Sequence, residues 1–430
     1  MNEQKPRFLS TTFTDINAPP HIEFGVAEHE HSTAIVKLYR AQPLHTMPPT
    51  LYRFGFDPDQ PTTKLSIPRS IVTATTIDIL WASWCDLIYT TSDSNGTRSI
   101  HYSGTGLDDS QKDEFTKTDS TIVQSLQDPK CNLSFFGSVM HNGVQGYILR
   151  TEHTSTITIF STMTEPDTTT WTLSDNCTTD IKICSDNSVI VATKSGQDEK
   201  DGLLCSAKSL RDFLNTPNNN QTLASFLPTH LITNATTATA LSDDGKVHTR
   251  TTDPRYSPCL GRTYSGTSVF EPVPYLSETR VVKIASGGYM TAAISDDGEL
   301  FLWGQANPGA DGELGVLRGL HYGSGDDAGD VAIWADMEQD DYVKCLNSRI
   351  DGDEAVAYDI AIGFGHILVA IETASSNYAV LAAGCGSEGQ LGLRERVDML
   401  DNFREVTTLR GKRVVQLVAA GWSSYVIREN

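Results

Sequence analysis

The sequence predicts an all-β fold: a β-propeller of seven blades, closed by an N-terminal strand that joins the C-terminal blade. Three observations predict it. One phrase of residues recurs along the chain, its period is that of a four-stranded blade, and too little chain follows the last copy to complete a blade.

The phrase is plainest from Ile284-Ala285-Ser286-Gly287 through Ala293-Ile294-Ser295-Asp296-Asp297-Gly298 to Leu300-Phe301-Leu302-Trp303-Gly304. Two apolar runs joined by Asp-Gly are two strands and a tight hairpin, because glycine reaches the positive φ that such turns need. An earlier copy runs from Leu231 to Ala240 and on through Leu241-Ser242-Asp243-Asp244-Gly245-Lys246-Val247-His248-Thr249, its Asp-Asp-Gly 53 residues upstream.

Taking the apolar residue three places before the glycine slot as an anchor gives Leu80, Leu133, Ile183, Leu231, Ile284, Ile360 and Val418. The steps are 53, 50, 48, 53, 76 and 58 residues, against a blade period of about 50. In the second and third units the slot holds Phe136 and Asp186 instead of glycine. Only 12 residues follow Val418, enough for two strands at most. Leu51-Tyr52-Arg53-Phe54-Gly55 has the pattern of Leu300 to Gly304 and precedes the first anchor. It is expected to complete the last blade and so remove the unpaired sheet edges that promote aggregation. The expected organisation is an N-terminal extension over 1–50, partly disordered, and a propeller over 51–430 with an acidic insertion at about 316–355. A β-sandwich array is the alternative that the spacing leaves open.

Composition bounds the function. The chain has 33 Lys+Arg against 54 Asp+Glu, a formal charge of -21. Such a surface repels nucleic-acid backbones and anionic membranes unless basic residues cluster, and no cluster is visible. No signal-like N-terminus or apolar run of membrane-spanning length occurs, so an intracellular, nuclear or cytoplasmic, monomer is expected. The eight cysteines lie singly, without metal-site spacing, and read as buried free thiols. His29-Glu30-His31 puts two imidazoles on one face of an extended segment but brings no third ligand within reach. No metal or cofactor is therefore expected.

Gly384-Cys385-Gly386-Ser387-Glu388-Gly389 matches a dinucleotide-loop pattern. Gln390-Leu391-Gly392 continues the blade pattern after it, however, so these glycines read as blade turns. No nucleophile elbow, phosphate loop or paired-carboxylate motif stands out, and no catalytic residue is assigned.

The insertion is the richest candidate for recognition. Asp326-Asp327-Ala328-Gly329-Asp330 and Glu338-Gln339-Asp340-Asp341 flank Val331-Ala332-Ile333-Trp334-Ala335, an aromatic anchor between acidic runs. Trp334, Asp326, Asp327, Asp336, Asp340 and Asp341 are the candidate partner-binding residues, because tryptophan is enriched at binding hot spots and long loops on rigid scaffolds carry recognition. The competing reading has Trp334 tucked onto the propeller and the acids merely solvated. Arg255 and Tyr256, in a blade-edge loop opened by Pro254, are a second candidate, against an ordinary proline-led turn.

These phrases resemble the family named after the regulator of chromosome condensation, whose blades carry a Gly-rich turn, a small-apolar strand, Asp-Gly, Trp-Gly and Gly-Gln-Leu-Gly. The last element stands here as Asp311-Gly312-Glu313-Leu314-Gly315 and Ser387-Glu388-Gly389-Gln390-Leu391-Gly392, with a reduced Cys259-Leu260-Gly261. By resemblance Gly287, Trp303, Gly304, Gly363, His366, Gly384, Gly421 and Trp422 are structural repeat positions, with His366 bonded to the backbone of a neighbouring blade. The layout is similar to the RCC-domain-containing subgroup that partners a Jumonji-type oxygenase in chromatin. Phe54-Gly55-Phe56, Trp81-Ala82-Ser83-Trp84, the insertion after the fifth Trp-Gly and the ending Gly421-Trp422-Ser423-Ser424-Tyr425-Val426 carry that similarity. The resemblance implies a non-enzymatic scaffold for a protein partner: a chromatin, oxygenase or tRNA-modification protein. The family's founding member implies the alternative, guanine-nucleotide exchange on a Ran-like small GTPase. Its wedge hairpin and basic tail have no counterpart in this sequence.

Overall fold

The computed structural model describes residues 47–430 apart from 61, 152–153, 161–167, 174–177, 195–201, 217–219, 306–329 and 336–341. The candidates Asp326, Asp327, Asp336, Asp340 and Asp341, the 311–315 phrase, His29, His31 and most of the 1–50 extension lie outside the described residues.

The chain enters through β1 (Thr50–Phe56) and β2 (Lys64–Thr73). A three-stranded sheet of β3 (Thr76–Ala82), β4 (Asp86–Ser92) and β5 (Arg98–Gly104) follows. The short helices α1 (Asp109–Asp113) and α2 (Thr121–Gln127) then lead to β6 (Asn132–Ser138), β7 (Gly143–Arg150), β8 (Ser155–Ile159) and β9 (Thr169–Leu173), a four-stranded meander. The next meander is β10 (Thr178–Ile183), β11 (Val189–Lys194), β12 (Gly202–Ala207) and β13 (Gln221–Ala224), with α3 (Leu210–Asn215) before its last strand. Another is β14 (His230–Thr233), β15 (Thr237–Leu241), β16 (Val247–Thr251) and β17 (Glu271–Pro272).

Beyond it come β18 (Val281–Gly287), β19 (Met290–Ser295), β20 (Leu300–Gly304), β21 (Val331–Ala335), β22 (Val343–Ile350), β23 (Asp353–Ile362), β24 (His366–Thr373), β25 (Tyr378–Cys385) and β26 (Met399–Glu405), joined in one nine-stranded sheet. The chain ends in β27 (Val414–Ala420) and β28 (Ser423–Arg428), which pair with β1 and β2 in the order β2-β1-β28-β27.

The fold is an all-β propeller, but the expected count of seven blades is wrong: five blades stand as separate sheets of three or four strands, and the rest of the chain forms the nine-stranded sheet. The physical cause is β22. One stretch of it pairs with β20 (Trp303 opposite Val343) and its far end turns through Asp351 and Gly352 to pair with β23 (Ile350 opposite Asp353). Both turn residues have positive φ, 54° and 85°, which makes the hairpin tight enough to carry hydrogen bonding across a junction where a loop was expected. The insertion also departs from a loop: β21 runs antiparallel to β22, Trp334 opposite Asn347.

The strands form because β-branched and small apolar residues alternate between two buried faces. Second strands such as Thr237–Leu241 and Met290–Ser295 are buried along their whole length, as strands sandwiched between neighbouring sheets must be. The cores accordingly lie between sheets. Leu241 and Val247 meet Val281, Ile284, Phe301 and Trp303 in one of them. Leu51, Tyr425 and Ile427 meet Ile77, Leu87 and Tyr89 in another, where the two ends of the chain close the ring. The innermost strands touch in a closed cycle, β3, β6, β10, β14, β18, β23, β27 and back to β3, and enclose an axial space. Among the described residues no helix is long and apolar enough to cross a membrane.

Candidate interaction face around the axial cavity

Each inner strand ends in a hairpin whose tip points at the axis, and the tips enclose a cavity of about 490 Å³. Ala82, Ile183, Ile362, Ala419 and the glycines 287, 288, 363 and 421 line it, with Ser138, Ser185, Ser286 and Asn234 as polar members. No Asp, Glu, Lys or Arg is among the described lining residues, although the whole chain carries a charge of -21.

A collar of hydrogen bonds fixes this mouth. Trp84 N donates to Val139 O (2.9 Å), Ala235 N to Gly288 O (2.8 Å) and Phe364 N to Gly421 O (2.8 Å), each from one tip to the next. The Ser185 hydroxyl adds a bond to Ala235 O (2.6 Å). Close approach demands glycine at position 421, where φ is +57° and a Cβ would lie 2.5 Å from Trp84 Cβ. Asn234 ties the same two tips as Ala235 a second time, its amide nitrogen donating to Ser286 Oγ (3.0 Å) while its oxygen accepts from Thr236 N and Thr237 N. Such a rim is preorganised, so a docking partner loses little entropy in ordering it.

Aromatic side chains crown the collar. Phe364 and Trp422 meet edge to face at 6.1 Å, and Tyr289 packs against Tyr256 at 5.5 Å. Trp84 Nε1 donates to His141 O (2.7 Å). These rings are part-buried rather than sealed in the core, the state in which aromatic side chains serve as anchors at interfaces.

The two prominent buried thiols are poor nucleophiles. Burial, with the Asp86 carboxylate beside it, pushes Cys85 up to about 12, and burial pushes Cys259 up to about 11. Asp86 itself is fully buried and saturated, accepting from Ser83 Oγ (3.2 Å), Gly106 N (3.0 Å), Val144 N (2.8 Å) and the Tyr102 hydroxyl. It pins one sheet to the next and has no capacity left for a substrate. Among the described residues no group of three His, Cys, Asp or Glu could hold a metal ion.

Two solved structures share this architecture over most of their length. Prp20p from Saccharomyces cerevisiae, described with its binding properties to Gsp1p and histones, is 11% identical, with a TM-score of 0.54 over 89% of this chain and 92% of that one. Yeast RCC1 (Prp20) bound to Kap60 is 11% identical, with a TM-score of 0.55 over 94% and 96%. This chain shares the β-propeller fold of these structures. No family model matches the sequence, and no curated protein does, so at this identity the likeness is one of fold.

Within this propeller the expected site residues fall in separate places. Arg255 and Tyr256 come to the rim of the axial cavity, because Tyr256 packs on Tyr289. The Arg255 guanidinium lies 5.5 Å from the Tyr256 ring centroid and is paired with Asp253 (2.6 Å). Trp334 sits instead on β21, part-buried, with the Arg349 guanidinium 5.8 Å from its ring. The rim rings Trp84, Tyr289 and Phe364 were missed by the sequence reading. Their signal was present: each occupies a hairpin tip, and Tyr289 lies two places after the glycine slot Gly287.

His366 is fully buried and its Nε2 bonds Ser424 Oγ (2.9 Å) on β28 of the neighbouring sheet. Ser424 spends its own proton on Gln390 O (2.8 Å), so His366 Nε2 carries the hydrogen and donates. Burial lowers its pKa from 6.5 to about 3. The folded protein therefore keeps His366 neutral at pH values where the unfolded chain is protonated, and stability falls as pH drops below about 6.5. Between pH 7 and pH 5 the wild type is expected to lose about 2 kcal/mol more than His366→Gln, at about 1.4 kcal/mol per unit. Urea midpoints of both proteins at the two pH values check this, and equal losses would refute it.

Proposed function

We propose that this protein is a non-enzymatic scaffold that holds a protein partner on the collar face of its propeller. The supporting observation is the axial mouth: a rigid, uncharged opening crowned by Trp84, Tyr289, Phe364 and Trp422 on an otherwise acidic molecule. Rigid aromatic anchors around a preformed opening contribute affinity at small ordering cost, and an uncharged mouth avoids desolvating ions. Chromatin-associated proteins, an oxygenase or a tRNA-modification factor are the partner classes that the sequence resemblance favours.

Quantitative capture from cell extract with intact protein, compared with a Phe364→Ala, Trp422→Ala double variant, tests the reading. Each hot-spot truncation of about 2 kcal/mol corresponds to about thirty-fold in Kd. Partners held at the collar are thus lost from the double variant while its melting temperature changes little. A variant carrying Trp334→Ala, Asp340→Lys and Asp341→Lys tests the insertion in parallel. Partners lost only there move the interface to β21, and partners unchanged in both defeat it at either place.

A second reading rests on the fold shared with Prp20p, which binds Gsp1p and histones: guanine-nucleotide exchange on a Ran-like GTPase. Catalytic amounts of this protein then accelerate release of labelled GDP from Ran, and an unchanged release rate removes the reading.

A further inference from the structure

Arg250 occupies the slot that the following sheet fills with its core tryptophan. It pairs with Ala238 across β15 and β16, in the register that sets Trp303 opposite Thr291 across β19 and β20. The side chain is only 5% exposed. Its Nε donates to Ser268 O (2.8 Å). Neither terminal nitrogen has a hydrogen-bond or ion-pair partner among the described residues. Burial disfavours the charged guanidinium and the nearby Asp186 carboxylate offsets part of that, while the terminal donors face pocket space where an acceptor can reach them.

The guanidinium is flanked by two pockets. The smaller, about 20 Å³ beside Cys184 and Thr237, has room for one water. The larger is about 540 Å³, the size of a small-ligand site, and carries Lys208, Ser206 and Thr252 around Arg250. Two carboxylates also face it, and both are engaged. Asp186 accepts from Ser188 N (3.0 Å) and Ser188 Oγ (2.6 Å), and Asp212 accepts from Ser209 Oγ (2.9 Å). Two cations offset the two carboxylates, and two hydroxyls add donors from different strands and turns, so a tetrahedral oxyanion can be held from several sides.

We propose that this pocket binds a phosphate group, free or carried as a monoester, with Arg250 as its principal anchor and Lys208 as its second charge. The core position converted from indole to guanidinium is then a ligand site between two blades, distinct from the axial mouth.

Melting of the intact chain in inorganic phosphate against chloride at equal ionic strength tests this. Saturating phosphate is expected to raise the midpoint by about 2–4 °C. Arg250→Met abolishes the rise. Lys208→Ala leaves the melting point in chloride unchanged and weakens phosphate binding about tenfold by calorimetry. This surface variant keeps the test decisive if Arg250→Met does not fold. No response in the wild type, a response that survives Arg250→Met, or phosphate affinity unaltered by Lys208→Ala overturns the proposal. Phosphoserine separates the sources: affinity tenfold above that of inorganic phosphate assigns the site to a monoester, and equal affinity assigns it to the free ion.

Discussion

Trp303→Ala is expected to lower the unfolding free energy by about 3–5 kcal/mol, the range for removing a buried tryptophan. The ring is fully buried and touches Leu241, Val247, Val273 and Leu276 of the preceding sheet as well as its own. It therefore joins two sheets, and the space left behind is walled by rigid backbone on both sides. Gly261 presses on it so closely that a Cβ there would lie 3.0 Å from Trp303 Cδ1, which leaves the wall little freedom to collapse inward. The indole nitrogen has no hydrogen-bond partner among the described residues, so the expected loss is one of packing and cavity. Trp303→Phe, which refills most of the volume, is expected to cost markedly less. Denaturant unfolding of the three proteins measures the difference, and a loss under 1 kcal/mol for the alanine variant would show that this contact does not hold the sheets together.

A chain that begins at Asp57, without β1, is expected to fail as a soluble folded protein. The deletion removes Leu51 and Phe54, both fully buried, and with them two separate cores. It also strips β28 of a partner along Thr50–Gly55 and leaves β2 with no neighbour at all. The unpaired edges then invite association between molecules. The buried Arg53–Asp57 pair (2.6 Å) and its reach to Asp59 and Ser103 disappear at the same junction. A synthetic peptide spanning residues 47–60, added during refolding, is expected to recover soluble monomer by strand addition. Size-exclusion profiles of the truncated chain with and without peptide decide the matter. A truncated chain that elutes and melts like the intact one would show that the ring does not depend on this closure.

The local rules were legible residue by residue. Asp-Asp-Gly at 243–245 and 296–298 marks hairpins in the structure, with Gly245 and Gly298 at φ of 82° and 89°, because tight-turn chemistry is written into neighbouring residues. The pairing of Leu51–Gly55 with the C-terminal strand followed from counting the chain left after the last repeat. Register was harder to read. Gly421 had been set in the slot of Gly287, but hairpin pairing aligns it with Gly288: Ala420 faces Ser423 as Gly287 faces Met290. Leu417 rather than Val418 is then the counterpart of Ile284. Both first strands carry a bulge at the equivalent place, so the offset lies in which residue of the hairpin tip is glycine, a choice that spacing alone does not reveal.

The amino-acid pattern settled the all-β class, the hairpins and the closure of the ring by its own ends, since these depend on turn residues and on alternation within a few positions. Only tertiary contact decided that two repeats fuse into one nine-stranded sheet, that aromatic tips from distant repeats gather around one axial mouth, and that Arg250 is buried at the edge of a pocket shared by two sheets. Each of these arises where segments far apart in sequence come within hydrogen-bonding or van der Waals range. The energy of such a meeting belongs to neither segment alone.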